Sequence, residues 1–502
     1  MSGIVRIWGS CFRLDILAVL RSHASNKSLL TGLNDRCCTQ EERNPTMTYA
    51  AQIADWAAGL RLTDIPEAVI TDEKLRVLDI LGVALAASTM PASAAVRTAA
   101  LRLGAGEESR MWGYGDRTTA ATAAMVNGSL AHALDYDDTH NESVVHISGP
   151  VVTTGLTLGE ALRADGKNAL TAMVAGAELG CRIGRVVPGE FHKRGFHATG
   201  VMGAFAASVV AGKLLGLNAH QLRNALGIAG SQASGLLEGF RDGSAVKQLH
   251  PGWAAHAGII AAYLAQDGFT GPATVFEGRD GLYNSHVGHG DHPADRMTEG
   301  LGHEWTCLHT SFKPYPCGHV VHGFLDALLA LYREAGLRAD QVDKITCPTA
   351  EWMIPIMCEP RALKLKPETD YHAKFSFYFT MAATLINGRL GVEAFTEANI
   401  RNPEILSLAE KIHCIPDPDA PGTGHFKGWV QVDTTDGRHL ERVVDDNWGS
   451  LANPMTPAQV QTKFRDNAGL ALDGVRIPNI MEGALNLDAA HDVSALIGLC
   501  IA

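Results

Sequence analysis

Val201-Met-Gly-Ala-Phe-Ala-Ala-Ser-Val-Val-Ala-Gly-Lys-Leu-Leu215 is small or apolar at nearly every position, with Lys213 as its one charge. Such a stretch predicts a helix buried on every face, and its small residues let neighbouring helices approach closely. Gly252–Gln266 repeats the character, Thr118–Leu134 is Ala-rich, and Lys167–Ile183 begins polar and then runs apolar. Upstream, Ile53, Trp56, Ala57 and Leu60 fall at i, i+3, i+4 and i+7, the spacing of one helical face. No strand–helix alternation interrupts this series, so a compact multi-helix domain is expected rather than a parallel-sheet fold.

Beyond about Cys307 the pattern changes. Val342–Pro348 reads as a short strand, Ala373–Asn387 as a helix, and Trp429–Thr434 with His439–Val444 as a hairpin closed by Asp436-Gly437. Thr456–Phe464 is helical again, and a last helix is expected over Ala489–Ile501. The fold class is therefore mostly α: a large helical domain at 47–307, a smaller inserted α+β domain at 308–452, and C-terminal helices at 453–502 that rejoin the first. Clefts between domains are common ligand sites.

The 502 residues are 46% hydrophobic and 19% charged, with 52 Gly and a net charge of −12. That composition is globular, neither disordered nor collagenous. The acidic balance, without blocks of like charge, argues against nucleic acid or an anionic membrane as partner. No apolar run reaches the ~20 residues of a membrane span, so a soluble protein is expected. Ten cysteines are scattered without a CxxC pair, which disfavours a disulfide framework or a thiolate zinc site and points to the cytoplasm. Residues 1–46 mix arginines with short apolar runs, lack a clear secretory pattern, and read as a disordered or start-site extension.

Common catalytic signatures are missing. There is no GxxxxGK[ST], no GxSxG, and no HExxH, because His303-Glu304 is followed by its next histidine at 309. Four islands remain. His132-Ala-Leu-Asp135-Tyr-Asp137-Asp138-Thr139-His140, followed by His146-Ile-Ser148-Gly149, ends an apolar helix with a dense set of titratable groups. Residues of this kind are compatible with a solvated helix end or with a metal site. Gly195-Phe196-His197-Ala198-Thr199-Gly200 opens the Val201 helix, where free N–H groups and the dipole suit an anion. Lys247 and His250 stand just ahead of the helix that begins at Gly252, and Ser311-Phe312-Lys313-Pro314-Tyr315-Pro316-Cys317-Gly318-His319 lies at the proposed domain junction.

Together these islands, with His372-Ala-Lys-Phe-Ser376 and Asn453-Pro-Met-Thr456, resemble the MmgE/PrpD family, whose enzymes dehydrate 2-methylcitrate, decarboxylate cis-aconitate or epimerise iminodisuccinate. The resemblance covers the chain from about residue 50 onward. It implies a helical domain with an α+β lid, a homodimer, and no metal or organic cofactor. It also implies active-site positions at Asp135, Thr139, His146, His197, Lys247 and Lys313, with His146 preferred over His140 because HxSG follows it.

On that footing the substrate is a small di- or tricarboxylate, held by charge-assisted bonds from Lys247, Lys313 and His197, with His140 and His319 as further binding candidates. His146 is the expected general acid/base because imidazole exchanges protons near neutral pH. Asp135 and Thr139 orient it or bind substrate, and Lys247 stabilises developing enolate charge. A cofactor-independent lyase, either dehydratase or decarboxylase, is the reading. An epimerase is the alternative, and a non-catalytic carboxylate-binding protein is the alternative of another class.

Overall fold

The structure is a computed structural model that describes residues 47–422 and 424–501. The expectation for residues 1–46 falls outside the described residues. Helices dominate: α1 (Tyr49–Gly59), α2 (Glu67–Ser88), α3 (Pro91–Leu103), α4 (Ala120–His132), α5 (Ser148–Leu162), α6 (Gly166–Arg185), α7 (Ala198–Leu214), α8 (Ala219–Gly230) and α9 (Val246–Gln266). Then follow α10 (His322–Glu334), α11 (Phe377–Asn387) and α12 (Pro457–Ala468). No single helix among the described residues is long and apolar enough to cross a membrane.

The sequence reason for the tight helix packing is the stripe of small residues. An added Cβ on Gly252 of α9 would lie 2.0 Å from the Met125 carbonyl oxygen of α4, so the two backbones touch there. Gly176 in α6 is similarly tight against α7, where a Cβ would lie 2.4 Å from the Val210 side chain and 2.9 Å from the Ala206 carbonyl oxygen. Every residue of α4 is buried, and so is nearly all of α7, as expected for helices apolar all round. The α4–α9 contact matters for function. It lies seven residues, about two turns, before His132 on one helix and five residues after Lys247 on the other, and so sets the distance between those side chains.

Between α10 and α12 lies a four-stranded sheet: β1 (Val342–Ala350), β2 (Ile412–Asp417), β3 (Gly428–Thr434) and β4 (His439–Val444), in the order β2-β1-β3-β4. β1 and β2 are parallel, whereas β3–β4 is the expected antiparallel hairpin. Two large apolar clusters dominate the described residues. One runs from Ala50 to Cys307 and resumes with residues of the C-terminal helices, Phe464 to Cys500; the other draws on Tyr315 to Val432.

Three helix boundaries differ from expectation. The helix over Ala373–Asn387 is broken, because the Ser376 hydroxyl accepts from the Phe379 N–H and caps α11. α9 starts at Val246 rather than Gly252, with Pro251 tolerated inside it; proline costs it the one N–H that would bond the Lys247 carbonyl. The last helix shortens to Ser494–Leu499, and an additional one forms at Arg476–Leu485.

Candidate active site

His132 is the last residue of α4, and the chain then turns sharply. Asp135 adopts the left-handed conformation at φ 50°, which an Asp tolerates better than most residues. The turn folds Asp137 back, so that both its carboxylate oxygens lie 2.8 Å from His132 Nδ1. Lys247, in the first turn of α9, donates to His132 Nε2 at 2.7 Å and to Asp135 Oδ1 at 2.6 Å. An ammonium has only protons to offer. His132 Nε2 therefore accepts, and Nδ1 carries the ring proton that goes to Asp137.

Lys313 arrives from the other region. Its Nζ donates to Asp135 Oδ2 at 2.8 Å and to the Asp135 carbonyl at 2.9 Å. One carboxylate thus bridges two buried lysines brought from distant parts of the chain. Burial works against the charged form of Asp135, but Lys247 and Lys313 outweigh it and hold the carboxyl well below its usual range. Burial lowers Lys247, with Asp135 opposing the shift.

His146 is fixed by its tautomer. Its Nδ1 lies 2.6 Å from the Asp138 carbonyl oxygen, which can only accept, and 3.2 Å from Thr139 Oγ1. Nδ1 carries the proton, and Nε2 is left with its lone pair. The His146 N–H donates to Thr199 Oγ1 at 3.0 Å, tying the loop to the start of α7. His197, the residue preceding α7, has Nδ1 3.0 Å from His250 Nδ1, and its buried Nε2 has no hydrogen-bond partner among the described residues. The rings of His132, His146 and His197 lie with centroids 4.8 to 5.9 Å apart. Burial first, then Lys247 for His132 and His197 and Lys313 for His146, pushes all three well below the usual imidazole value. The cluster therefore holds neutral imidazoles beside two ammonium groups.

One ring nitrogen from each of these histidines lies within 4.8 Å of the others, a set that suits a divalent transition metal by ligand type. The fit is poor on charge. Lys247 already occupies His132 Nε2, and both lysines oppose a further cation in the same shell.

Of the residues singled out from the sequence, Asp135, Thr139, His146, His197, Lys247 and Lys313 come together here. His319 stands at the edge, with Nε2 3.2 Å from Asn447 Nδ2, and it faces Lys313, His146 and Asp135 electrostatically. His140 does not join them. It sits in a two-residue strand paired with Thr310–Ser311, accepts from the Ser143 N–H at 3.3 Å and packs beside the Ser143 hydroxyl, which donates to the Cys181 carbonyl. Alternation along the strand sends Thr139 to one face and His140 to the other.

A profile of the MmgE/PrpD N-terminal domain matches residues 51–294, and one of the MmgE/PrpD C-terminal domain matches residues 315–487. The chain belongs to the MmgE/PrpD family. Among curated MmgE/PrpD relatives, the cis-aconitate decarboxylase-like protein oryM of Aspergillus oryzae is 28% identical over 479 residues, covering 92% of this chain and 99% of that protein. The cis-aconitate decarboxylase of Aspergillus terreus is 28% identical over 486 residues, covering 91% and 97%. The human cis-aconitate decarboxylase is 26% identical over 458 residues, covering 88% and 92%.

The MmgE/PrpD motifs contain two further members of the cluster, His132 and Asp137, that sequence reasoning did not single out. The available signal was position: His132 and Asp135 are three apart at a helix end, which places both on one side of the turn. His250, named beside Lys247 in the sequence but given no role, lies three residues from it in the same helix and places its Nδ1 3.0 Å from His197 Nδ1.

Proposed function

We propose that this MmgE/PrpD chain is a cofactor-independent lyase that removes CO2 from a small tricarboxylate of the cis-aconitate type. The observation that carries the reading is the Asp135 carboxylate shared by two buried lysines beside an imidazole with a free Nε2. Two ammonium groups at this spacing suit two carboxylates of one small molecule. The names of the relatives favour decarboxylation over dehydration, because the likeness spans nearly the whole of each protein.

On a β,γ-unsaturated carboxylate the C–CO2 bond breaks as its electron pair enters a new C=C bond. The former C=C pair moves to the carbon beside a second carboxylate, which becomes enolate-like. Lys247 and Lys313 stabilise that growing charge in a site shielded from water. A proton from His146 Nε2 then completes the product, so one proton is consumed for each CO2 released. Thr139 and the Asp138 carbonyl keep the His146 ring aimed, while His197 Nε2 and His319 take a remaining carboxylate.

His146 needs a second proton for this step. Burial and the lysines oppose it in the free site, whereas a polyanion at Lys247 and Lys313 reverses the local field. Substrate binding is thereby coupled to proton uptake. Residues 308–452 act as the lid in this reading, because they contribute Lys313 and His319, and the buried cluster must open for substrate to enter. The reading includes a cytoplasmic homodimer, checked by light scattering.

The test is to incubate the protein with 2-methylcitrate, citrate, cis-aconitate and iminodisuccinate in D2O and follow the products by NMR. CO2 loss with one deuterium beside a surviving carboxylate supports the proposal. Water loss identifies a dehydratase, and deuterium exchange with inversion identifies an epimerase. Saturable binding without turnover identifies a binding protein, and activity lost on EDTA treatment overturns the cofactor-independent assignment.

A further inference from the structure

Behind the turn that carries Asp135 lies a second buried cation. Lys463, on α12, is 5% exposed. Its ammonium donates to the Tyr136 carbonyl at 2.8 Å, lies 2.8 Å from the Asp79 carboxylate of α2, and stands 4.0 Å from the centre of the Tyr136 ring. The approach depends on Gly82, one turn beyond Asp79, where an added Cβ would come within 2.9 Å of Phe464. The other groups facing Lys463 are Asp137 and Asp138, and Arg76 faces Asp79 from the same helix.

Three carbonyls of the turn are thus held from outside it. Lys313 takes that of Asp135, Lys463 that of Tyr136, and His146 Nδ1 that of Asp138. The first and third anchors belong to the cluster itself. Of these three carbonyl anchors Lys463 is the one from outside the cluster, and it acts at the peptide between the two carboxylates that matter. Rotation of the Tyr136 peptide would swing Asp135 off the lysines and Asp137 off His132. A non-glycine residue at φ 50° persists only where its surroundings over-determine it.

We propose that Lys463 is a positioning residue for the reaction: by fixing the Tyr136 carbonyl it holds Asp135 between Lys247 and Lys313 and Asp137 on His132. This rests on the reading of the cluster as the active site. It assigns a function to the segment after the α+β region, which otherwise serves only as core.

Lys463→Met alone leaves Asp79 buried and unpaired, which destabilises the fold whatever its role. The informative variant is therefore the double, Lys463→Met with Asp79→Asn, which removes both charges together. Positioning predicts that the double recovers thermal stability relative to the single variant, while kcat stays at least tenfold below wild type with KM changed less. A purely structural role predicts that activity returns with stability. A second readout needs no substrate. The ring N–H protons of His132 and His146, bonded to Asp137 and to the Asp138 carbonyl, give downfield proton NMR signals, assigned by their loss in His132→Gln and His146→Gln. In the double variant these signals shift or broaden. Wild-type kcat, or unchanged downfield signals, overturns the proposal. If the wild-type protein turns over none of the panel, the lyase reading fails, and the downfield signals still decide the role of Lys463.

Discussion

Two sets of titratable side chains share the stretch from His132 to His146. Both are buried, yet they meet opposite surroundings. His132, Asp135 and His146 face two ammonium groups and a nitrogen free to exchange a proton. Asp138 and His140 are held by groups other than lysine: Asp138 accepts from Arg76, itself 2.6 Å from the Thr310 carbonyl, and from the Ser148 hydroxyl and N–H, while His140 is held through Nδ1 and its buried Nε2 has no hydrogen-bond partner among the described residues. His140 is pushed by burial down to about 3 and stays neutral against Ser143. The difference teaches that a density of buried ionisable groups does not itself mark chemistry. What marks it is an incompletely satisfied group beside uncompensated charge.

The comparison breaks most severely at His146. His146→Gln keeps a polar side chain but cannot cycle a proton, so kcat on the substrate identified by NMR should fall by about 10²–10⁴-fold, the range for loss of a general acid or base. Next in size is Lys313→Met, which removes charge at nearly constant bulk. Steady-state kinetics should show kcat/KM lower by about 10²–10³-fold, as when one preorganised donor to a developing anion is removed.

On the other side of the comparison, Glu73 lies beside Asp72, Arg76 and Asp138, and burial raises its carboxyl to about 8. The folded protein therefore retains a proton there that the unfolded chain releases above its ordinary carboxyl value. Its contribution to stability is present below about pH 4.5 and declines by about 1.4 kcal/mol per pH unit up to about pH 8. Denaturant titrations of Glu73→Gln should lack that decline, so the variant gains on wild type as pH rises. The smallest effect belongs to His140→Gln. It should cost about 1 kcal/mol in unfolding free energy for a weakened hydrogen bond and leave kcat/KM within about threefold. A loss comparable to that of His146→Gln would remove the distinction drawn here.

Much of this was legible in the sequence because the packing rule is compositional. Helices such as Val201–Leu215 announce themselves by small residues on all faces, and the hairpin at Asp436-Gly437 by turn chemistry. The lysines were legible only as members of ordered motifs, since nothing local says that Lys247 and Lys313 meet over one carboxylate. His140 was misleading because its strand is two residues long, too short for alternation to show as a pattern. Lys463 gave no signal at all. It sits 327 residues from the carbonyl it holds, in a helix whose sequence reads as an ordinary amphipathic surface element. The break at Ser376 was written in a capping residue but masked by the apolar run on either side.

Asp135 gives the buried lysine pair the character of an ion exchanger. Its carboxylate holds the Lys247 and Lys313 side chains aligned and close together, a juxtaposition that two free cations would resist. An incoming carboxylate exchanges with a resident anion and does not have to assemble the pair, so the ordering of both lysines precedes binding. The resident is tethered at a single left-handed residue and cannot leave. Small anions with one carboxylate therefore compete against a neighbour of high local concentration, whereas a molecule carrying two or three can engage both lysines and the histidines beyond them at once. Under the proposed function, selectivity for polycarboxylates over abundant monocarboxylates would follow from the tether itself.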